Sequence, residues 1–128
     1  MNPVLSIALS GLQAATNRLS VSANNVANAL TSRPVARAGE TPDGVFAAQQ
    51  VVARSAGGGG VATSVQDKDP ATVTGPDPAS PSGLSAFPNV DLVSEAVDQK
   101  LAVASYRANA AVIRTRQELD DALLDIKA

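Results

Sequence analysis

Large aliphatic side chains recur every seven residues through the first thirty residues of the chain. The repeating positions are Leu5, Leu12, Leu19 and Val26. An α-helix places residues seven apart on the same side, so the repeat predicts one amphipathic helix with a narrow apolar seam.

A second seam lies at the C-terminal end of the chain. Between residues 93 and 126, apolar or small side chains step by three or four residues. The central members of this seam are Val97, Leu101, Ala104 and Ala108. Because both ends carry a seam and no obvious core lies between them, each helix is expected to pack against another helix. Three partners are open at this point: the chain's own other end, a neighbouring subunit, or both. The predicted fold is therefore mainly α, with N- and C-terminal helices that pair as an α-helical coiled coil.

Composition divides the chain into three regions. Residues 1–30 are predicted to form the N-terminal rod-like helix, with Asn2 as its N-cap and Pro3 in its first turn. Residues 31–88 form a Gly/Pro-rich middle region, and residues 89–128 form the C-terminal helix.

The middle region contains two β-tolerant runs, residues 45–54 and 61–66, on either side of four consecutive glycines at 57–60. This arrangement predicts a short β-hairpin with a flexible tip. A phosphate-binding loop is disfavoured because no Gly-Lys-Ser/Thr follows the glycines. From residue 67 to residue 88 the chain contains five prolines, which exclude a helix and predict an extended path.

The N-terminal helix carries one charged residue, Arg18, before residue 30. An ordinary surface helix carries more charge, because one of its faces must stay in water. The other faces of this helix consist of Ser, Thr, Asn, Gln and Ala. Small uncharged polar residues on every side favour a helix that packs against protein on several sides, as in a bundle or polymer.

Composition excludes most catalytic chemistry. The chain has no cysteine and no histidine, which excludes zinc sites, disulfides and imidazole bases, and we expect neither a cofactor nor an enzyme. The net charge of −2 gives no reason to expect nucleic acid.

No positively charged n-region precedes Arg18, so a cleavable signal peptide is not expected. No apolar run approaches the ~20 residues of a membrane span, so a membrane span is not expected either. Alanine dominates the apolar residues, so the core should be thin and the chain should gain stability by assembling.

Two short segments are more specific than the seams. Residues 22–29 read Ser-Ala-Asn-Asn-Val-Ala-Asn-Ala, and residues 105–109 read Ser-Tyr-Arg-Ala-Asn. Asparagine is a poor helix former, so an amphipathic helix alone does not require Asn24, Asn25 and Asn28. A fraying helix end, with asparagine side chains bonded to backbone carbonyls, is the simpler alternative.

At these segments the sequence resembles the axial (rod and hook) proteins of the bacterial flagellum. That family has an Ala-Asn-Asn-Val-Ala-Asn-type signature near the N-terminus and a Ser-Tyr-x-Ala-Asn-type signature in the C-terminal helix. The short length and the Phe-Pro-Asn-Val-Asp segment at 87–91 are most similar to the proximal-rod group of basal-body rod proteins.

The resemblance implies a structural subunit whose terminal helices pair and stack with neighbours into a helical tube that transmits torque. The implied partners are other rod subunits, basal-body proteins, further copies of the chain and the flagellar type III export apparatus, and the implied location is the periplasmic rod. The two seams would then form the assembly interface. The motif residues Asn24, Asn25, Asn28, Tyr106 and Asn109 would make hydrogen bonds between subunits.

An alternative function from another class is an export chaperone or adaptor that binds a partner helix in a groove. Circular dichroism of the dilute protein separates the two hypotheses. Largely disordered termini favour the rod subunit, whereas a cooperatively melting helical dimer favours the chaperone.

Overall fold

In chain order, two long helices flank a middle region of five short strands. The computed structural model describes residues 3–127, apart from the side chain of Lys127, and the predicted N-cap Asn2 lies outside this range. The elements in chain order are α1 (Pro3–Asn28), β1 (Arg33–Pro34), β2 (Gln49–Ser55), β3 (Val61–Asp67), β4 (Thr72–Pro76), β5 (Leu84–Pro88) and α2 (Leu92–Lys127). The predicted mainly α architecture with terminal helices is confirmed at this level.

The two helices pack side by side and run antiparallel. The Ser22 hydroxyl donates to the carbonyl of Glu95 at 3.1 Å, whereas Gly11, nearer the start of α1, lies against Asn109 further along α2. Gly11 has no room for a Cβ atom, because it would overlap the Asn109 side chain. The absence of a side chain at this position lets the two backbones approach closely.

The buried aliphatic side chains of the described residues are small. They are six alanines and two valines: Ala8, Ala14, Ala15, Val21, Val35, Ala48, Ala86 and Ala102. The thin core expected from the composition is therefore present. Small side chains bury little apolar area, so each buried contact stabilises the fold less than a leucine or phenylalanine would.

Strands β2 and β3 form the hairpin that the sequence predicted. Their antiparallel register runs from Gln49 opposite Asp67 to Ser55 opposite Val61. The hairpin packs along α1, where Asn17 Nδ2 donates to Thr63 Oγ1 at 2.8 Å. The glycine-rich tip does not stand free, because the Val61 amide donates to the Ser10 hydroxyl of α1 at 3.0 Å.

The proline-rich stretch, for which the sequence predicted an extended path, forms part of a second sheet with strand order β1–β5–β4. Prolines do not prevent the pairing, because Pro76 ends the edge strand β4 and Pro88 ends the central strand β5. The turn between these strands is closed by Asp77, whose carboxylate accepts hydrogen bonds from the Ala79 amide and the Ser85 hydroxyl.

Helix α2 begins at Leu92, three residues later than the sequence predicted. The Asn89 amide donates to the Ala71 carbonyl at 2.9 Å, which ties this residue to the neighbouring strands instead of the helix. Asp91 is the N-cap, since its Oδ1 accepts from the amides of Val93 at 2.8 Å and Ser94 at 3.2 Å.

This cap gives a prediction about pH. Hydrogen bonds from the backbone amides of Ser94 and Val93 hold the pKa of Asp91 below its ordinary value. A lowered pKa in the folded state stabilises the fold above the ordinary aspartate pKa of about 4, and this stabilisation is lost as the pH falls through the folded-state pKa. We expect Asp91→Ala to lower the melting temperature near pH 7, with the difference from the parent chain shrinking in acid. Asp98→Ala, an exposed carboxylate within the helix, is the control and should show no such trend.

None of the helices among residues 3–127 combines the length and apolar character that a membrane crossing requires.

Candidate assembly surfaces

A buried polar junction joins α1, the β2–β3 hairpin and α2. At its centre is Asn25, which is 1% exposed. The Asn25 amide pairs with the backbone of Gln49 in both directions: Nδ2 donates to the Gln49 carbonyl at 2.8 Å, and Oδ1 accepts from the Gln49 amide at 2.9 Å. The side chain therefore extends the hydrogen-bonding edge of β2 into the helix.

The junction also contains a buried carboxylate, Glu95. Its Oε1 accepts from Asn25 Nδ2 at 2.8 Å and lies 3.3 Å from Lys68 Nζ. A buried carboxylate is costly unless it is paired and hydrogen-bonded, and here the amide and the ammonium group supply both. The junction is thus fully bonded, and it fixes the two helices and the hairpin relative to one another.

The amides of Asn28 and Asn109 donate hydrogen bonds within their own helices. Asn28 Nδ2 donates to the Asn24 carbonyl at 2.9 Å, and Asn109 Nδ2 donates to the Ser105 carbonyl at 2.9 Å. Tyr106 is exposed. Of the residues predicted to bond between subunits, Asn25 is therefore committed inside the chain, while Tyr106 remains accessible.

The sequence did not single out Glu95, Gln49 or Lys68 as partners of Asn25. One signal was available: Ala8, Ala15 and Ser22 also recur every seven residues, and all three are buried against the rest of the chain. A heptad of small residues permits close helix approach, but the larger aliphatic heptad beside it was the more visible pattern in the sequence.

The predicted seam of α2 points away from α1. Glu95 and Ala102 are buried on the side that faces α1. At 3.6 residues per turn, positions 97, 101, 104 and 108 fall on the opposite side of the helix. Val97 and Leu101 are accordingly 51% and 56% exposed, and Ala104 and Ala108 are exposed as well. We call these four residues the outer face of α2.

The predicted seam of α1 lies beside the α2 contact, on the side away from the hairpin. Leu5 and Leu12 are half-buried, whereas Leu19 and Val26 are exposed. Because the outer face of α2 points away from α1, the two predicted seams do not meet within one chain. Pairing between them stays a prediction about contacts between chains.

A shallow apolar groove runs between the two helices where the α1 seam borders α2. Its α1 side consists of Ala15, Thr16 and Leu19, and its α2 side consists of Ala102, Val103, Tyr106 and Arg107. The groove is lined almost entirely by carbon atoms, with Arg107 as its charged rim. The chain therefore presents two separate apolar surfaces, a convex outer face and a concave groove.

Metal-ligating side chains do not cluster on either surface within the part of the chain that the structure describes. Across residues 3–127, no cluster of three or more acidic side chains is arranged to hold a metal ion. The arrangement of apolar surface around one bonded polar junction is suited to binding other proteins.

Comparison with known proteins supports an assembly role. Residues 5–34 match the family model described as "Flagella basal body rod protein". The chain is 33% identical over 116 residues to the flagellar basal-body rod protein FlgC of Salmonella typhimurium, across 88% of this chain and 87% of that protein. It is 33% identical over 120 residues to FlgC of Yersinia enterocolitica, across 91% and 90% of the two chains. The similarity runs through nearly the whole length of each protein.

Proposed function

Because this chain belongs to the flagellar basal-body rod proteins and is a structural subunit of the rod, we propose that it forms part of the proximal rod. It assembles with other rod and basal-body subunits. In the proposed assembly its terminal helices pair with those of neighbouring subunits as coiled coils, build a helical tube and transmit torque without carrying out a reaction.

The observation that carries this proposal is the position of the two apolar surfaces. The outer face of α2 and the groove between the helices lie on different sides of the same chain. A contact between two different surfaces is heterologous, and unless its rotation closes a ring it generates a helical polymer. A tube wall needs heterologous contacts, because in such a wall every subunit presents both its outer face and its groove to different neighbours.

The thin core supports a route of export as well as a mode of assembly. A chain whose buried aliphatic residues are alanines and valines is held together by many small contacts, so it unfolds at low cost. We propose that it passes through the flagellar type III export apparatus as an unfolded chain and reaches its place in the periplasmic part of the rod. The alternative, an export chaperone or adaptor, is not favoured by the comparisons.

A charge on the outer face of α2 tests the proposal. Leu101→Asp should leave the subunit folded, because this side chain already lies largely in water. An unpaired carboxylate buried in an apolar contact costs several kcal/mol, and each 1.4 kcal/mol is tenfold in affinity, so incorporation should fall by more than about tenfold. The readout is the amount of the chain in purified basal bodies from a strain that carries this variant alone, together with swimming.

Val73→Asp is the matched control, since it places a carboxylate at an exposed valine of β4, away from both helices. We expect this variant to be incorporated normally, and circular dichroism should show both variants folded to the same extent. Basal bodies that contain the Leu101→Asp chain at the parent level would refute assembly through the outer face of α2, on which the proposal rests.

A further inference from the structure

The end of α2 extends past the start of α1. Gly11 lies beside Asn109, and α1 begins eight residues before Gly11. In antiparallel helices with the same rise per residue, Pro3 is therefore level with residue 117 or so. The ten or so residues of α2 beyond that level project about 15 Å past α1, at 1.5 Å per residue. We call residues 118–127 the overhang.

The overhang is amphipathic, and its apolar side continues the outer face of α2, since Leu119 follows Leu101 by eighteen residues, or five helical turns. This side has no partner within the described part of the chain. Leu119, Leu123 and Ile126 are 55%, 62% and 84% exposed and lie at helical spacing on one side. Glu118 and Asp125, seven residues apart, border this side. Exposed leucine and isoleucine at this density mark a surface that another protein covers.

The groove between the helices has a complementary charge pattern. Its apolar lining includes Leu19, Val103 and Tyr106, and its α2 rim carries Arg107. Lys100 and Arg114 lie seven residues before and after Arg107, so the same edge of α2 has a basic row. The opposite wall belongs to α1, whose one charged residue, Arg18, does not line this groove.

We infer that the overhang of one subunit docks into the groove of a second copy of the chain. Leu119, Leu123 and Ile126 would contact the apolar lining, with the acidic border facing the basic row. This inference rests on the proposed function, because it identifies the second copy as a neighbouring rod subunit.

Continuity of the helix explains why the occupant is a second copy. The overhang belongs to the same uninterrupted helix as the rest of α2, so it cannot turn back into the groove of its own chain. Each subunit offers one overhang and one groove at different places, which joins copies head to tail, in an open series unless the rotation closes a ring.

Apolar burial and charge have different parts in this contact. Exposed ion pairs contribute only about 0–1 kcal/mol each, so the three aliphatic side chains supply most of the affinity. The acidic border and the basic row select the orientation, since the reversed arrangement brings like charges together.

Disulfide trapping tests the inference, because the natural chain has no cysteine. Full-length Thr16→Cys protein, labelled in the groove, is mixed with full-length Ala122→Cys protein, labelled on the overhang. After mild oxidation the mixed dimer is quantified by mass spectrometry. The matched control replaces Ala122→Cys with Ala96→Cys, another exposed alanine of α2 at the opposite end of the helix.

We expect a several-fold higher yield of mixed dimer with the overhang cysteine than with the control. Arg107→Glu in the groove partner should reduce that yield, and Glu118→Arg with Asp125→Arg in the overhang partner should restore it. A yield no higher than the control, or a yield that Arg107→Glu leaves unchanged, overturns the inference.

Disulfide trapping and entry into basal bodies test the docking site and the rod assignment independently. If trapping fails while the parent chain still enters basal bodies, the docking site is wrong and the rod assignment stands. If trapping succeeds but the chain never enters basal bodies, the rod assignment fails and the contact between copies stands.

Discussion

Replacing Asn25 with aspartate is expected to lower the free energy of unfolding by about 3–5 kcal/mol, although the two side chains have nearly the same shape. Aspartate supplies no N–H group, so the Gln49 carbonyl and the Glu95 carboxylate both lose the hydrogen bond from Asn25, and only Lys68 still bonds Glu95. The new carboxylate also stands 2.8 Å from Glu95 Oε1, where Asn25 Nδ2 now lies. Like charges at that distance in a buried site repel strongly.

The measurement is urea unfolding of the full chain, followed by circular dichroism. An osmolyte such as TMAO in the buffer favours burial and gives a clear folded baseline. Asn24→Asp is the matched control, because Asn24 is the neighbouring asparagine, is exposed and has a side chain that bonds Asn28 within the same helix. Equal effects of the two substitutions would show that the buried junction does not hold the fold together.

Gly60→Val is expected to cost about 2–4 kcal/mol and to detach the hairpin tip from α1. Gly60 has a φ of +86°, a conformation that a β-branched residue adopts only under strain. A Cβ atom here would also overlap the Ser10 hydroxyl, which accepts the hydrogen bond from the Val61 amide. The substitution therefore adds backbone strain and breaks a contact between the hairpin and the helix.

Gly58→Val in the same loop is the control. No atom lies within 4 Å of a Cβ placed at Gly58, and its φ is not positive. We expect the control to melt within a few degrees of the parent, while the Gly60 variant loses hydrogen-exchange protection in β2 and β3. Similar melting temperatures for the two variants would show that the glycines serve as a free tip, as the sequence alone predicted.

Together the two sites anchor the hairpin along α1. The junction at Asn25 holds its base, and the contact at Ser10 holds its tip, fifteen residues or about 22 Å apart on the helix. The hairpin and the paired helices therefore form one body, which presents the groove and the outer face of α2 in a defined relation.

Local structure was largely predictable from the sequence because its causes are local. The seven-residue repeat predicted α1, and the steps of three or four residues predicted α2. The glycines at 57–60 between two β-tolerant runs predicted the β2–β3 hairpin. The β4–β5 pair was not predicted, since five prolines hide a strand pattern. Those prolines lie at strand ends or outside the strands, where their missing N–H groups cost no ladder hydrogen bond.

The direction in which each apolar stripe faces was decided by tertiary structure. Periodicity relates residues on one helix to each other, but it does not tell which side meets the rest of the same chain. In α1 a seven-residue repeat of small residues (Ala8, Ala15 and Ser22) lies beside the α1 seam of larger aliphatic residues. Because the two helices approach closely, the small residues face α2. Asn25 and Glu95 complete their hydrogen bonds only when the Glu95 side of α2 faces α1. The opposite side of α2 then faces away from the chain, so the outer face and the overhang are exposed.

The sequence by itself determined that the chain has two terminal helices with apolar seams, that its core is thin and that its signatures are those of flagellar axial proteins. These properties follow from the order and type of residues. Only the tertiary structure decided that the seams do not meet within the chain and that Asn25 bonds inside the subunit. The physical reason is that every buried polar group must have a hydrogen-bond partner in the same folded structure. Those partners can be distant in sequence, as Asn25 and Glu95 are.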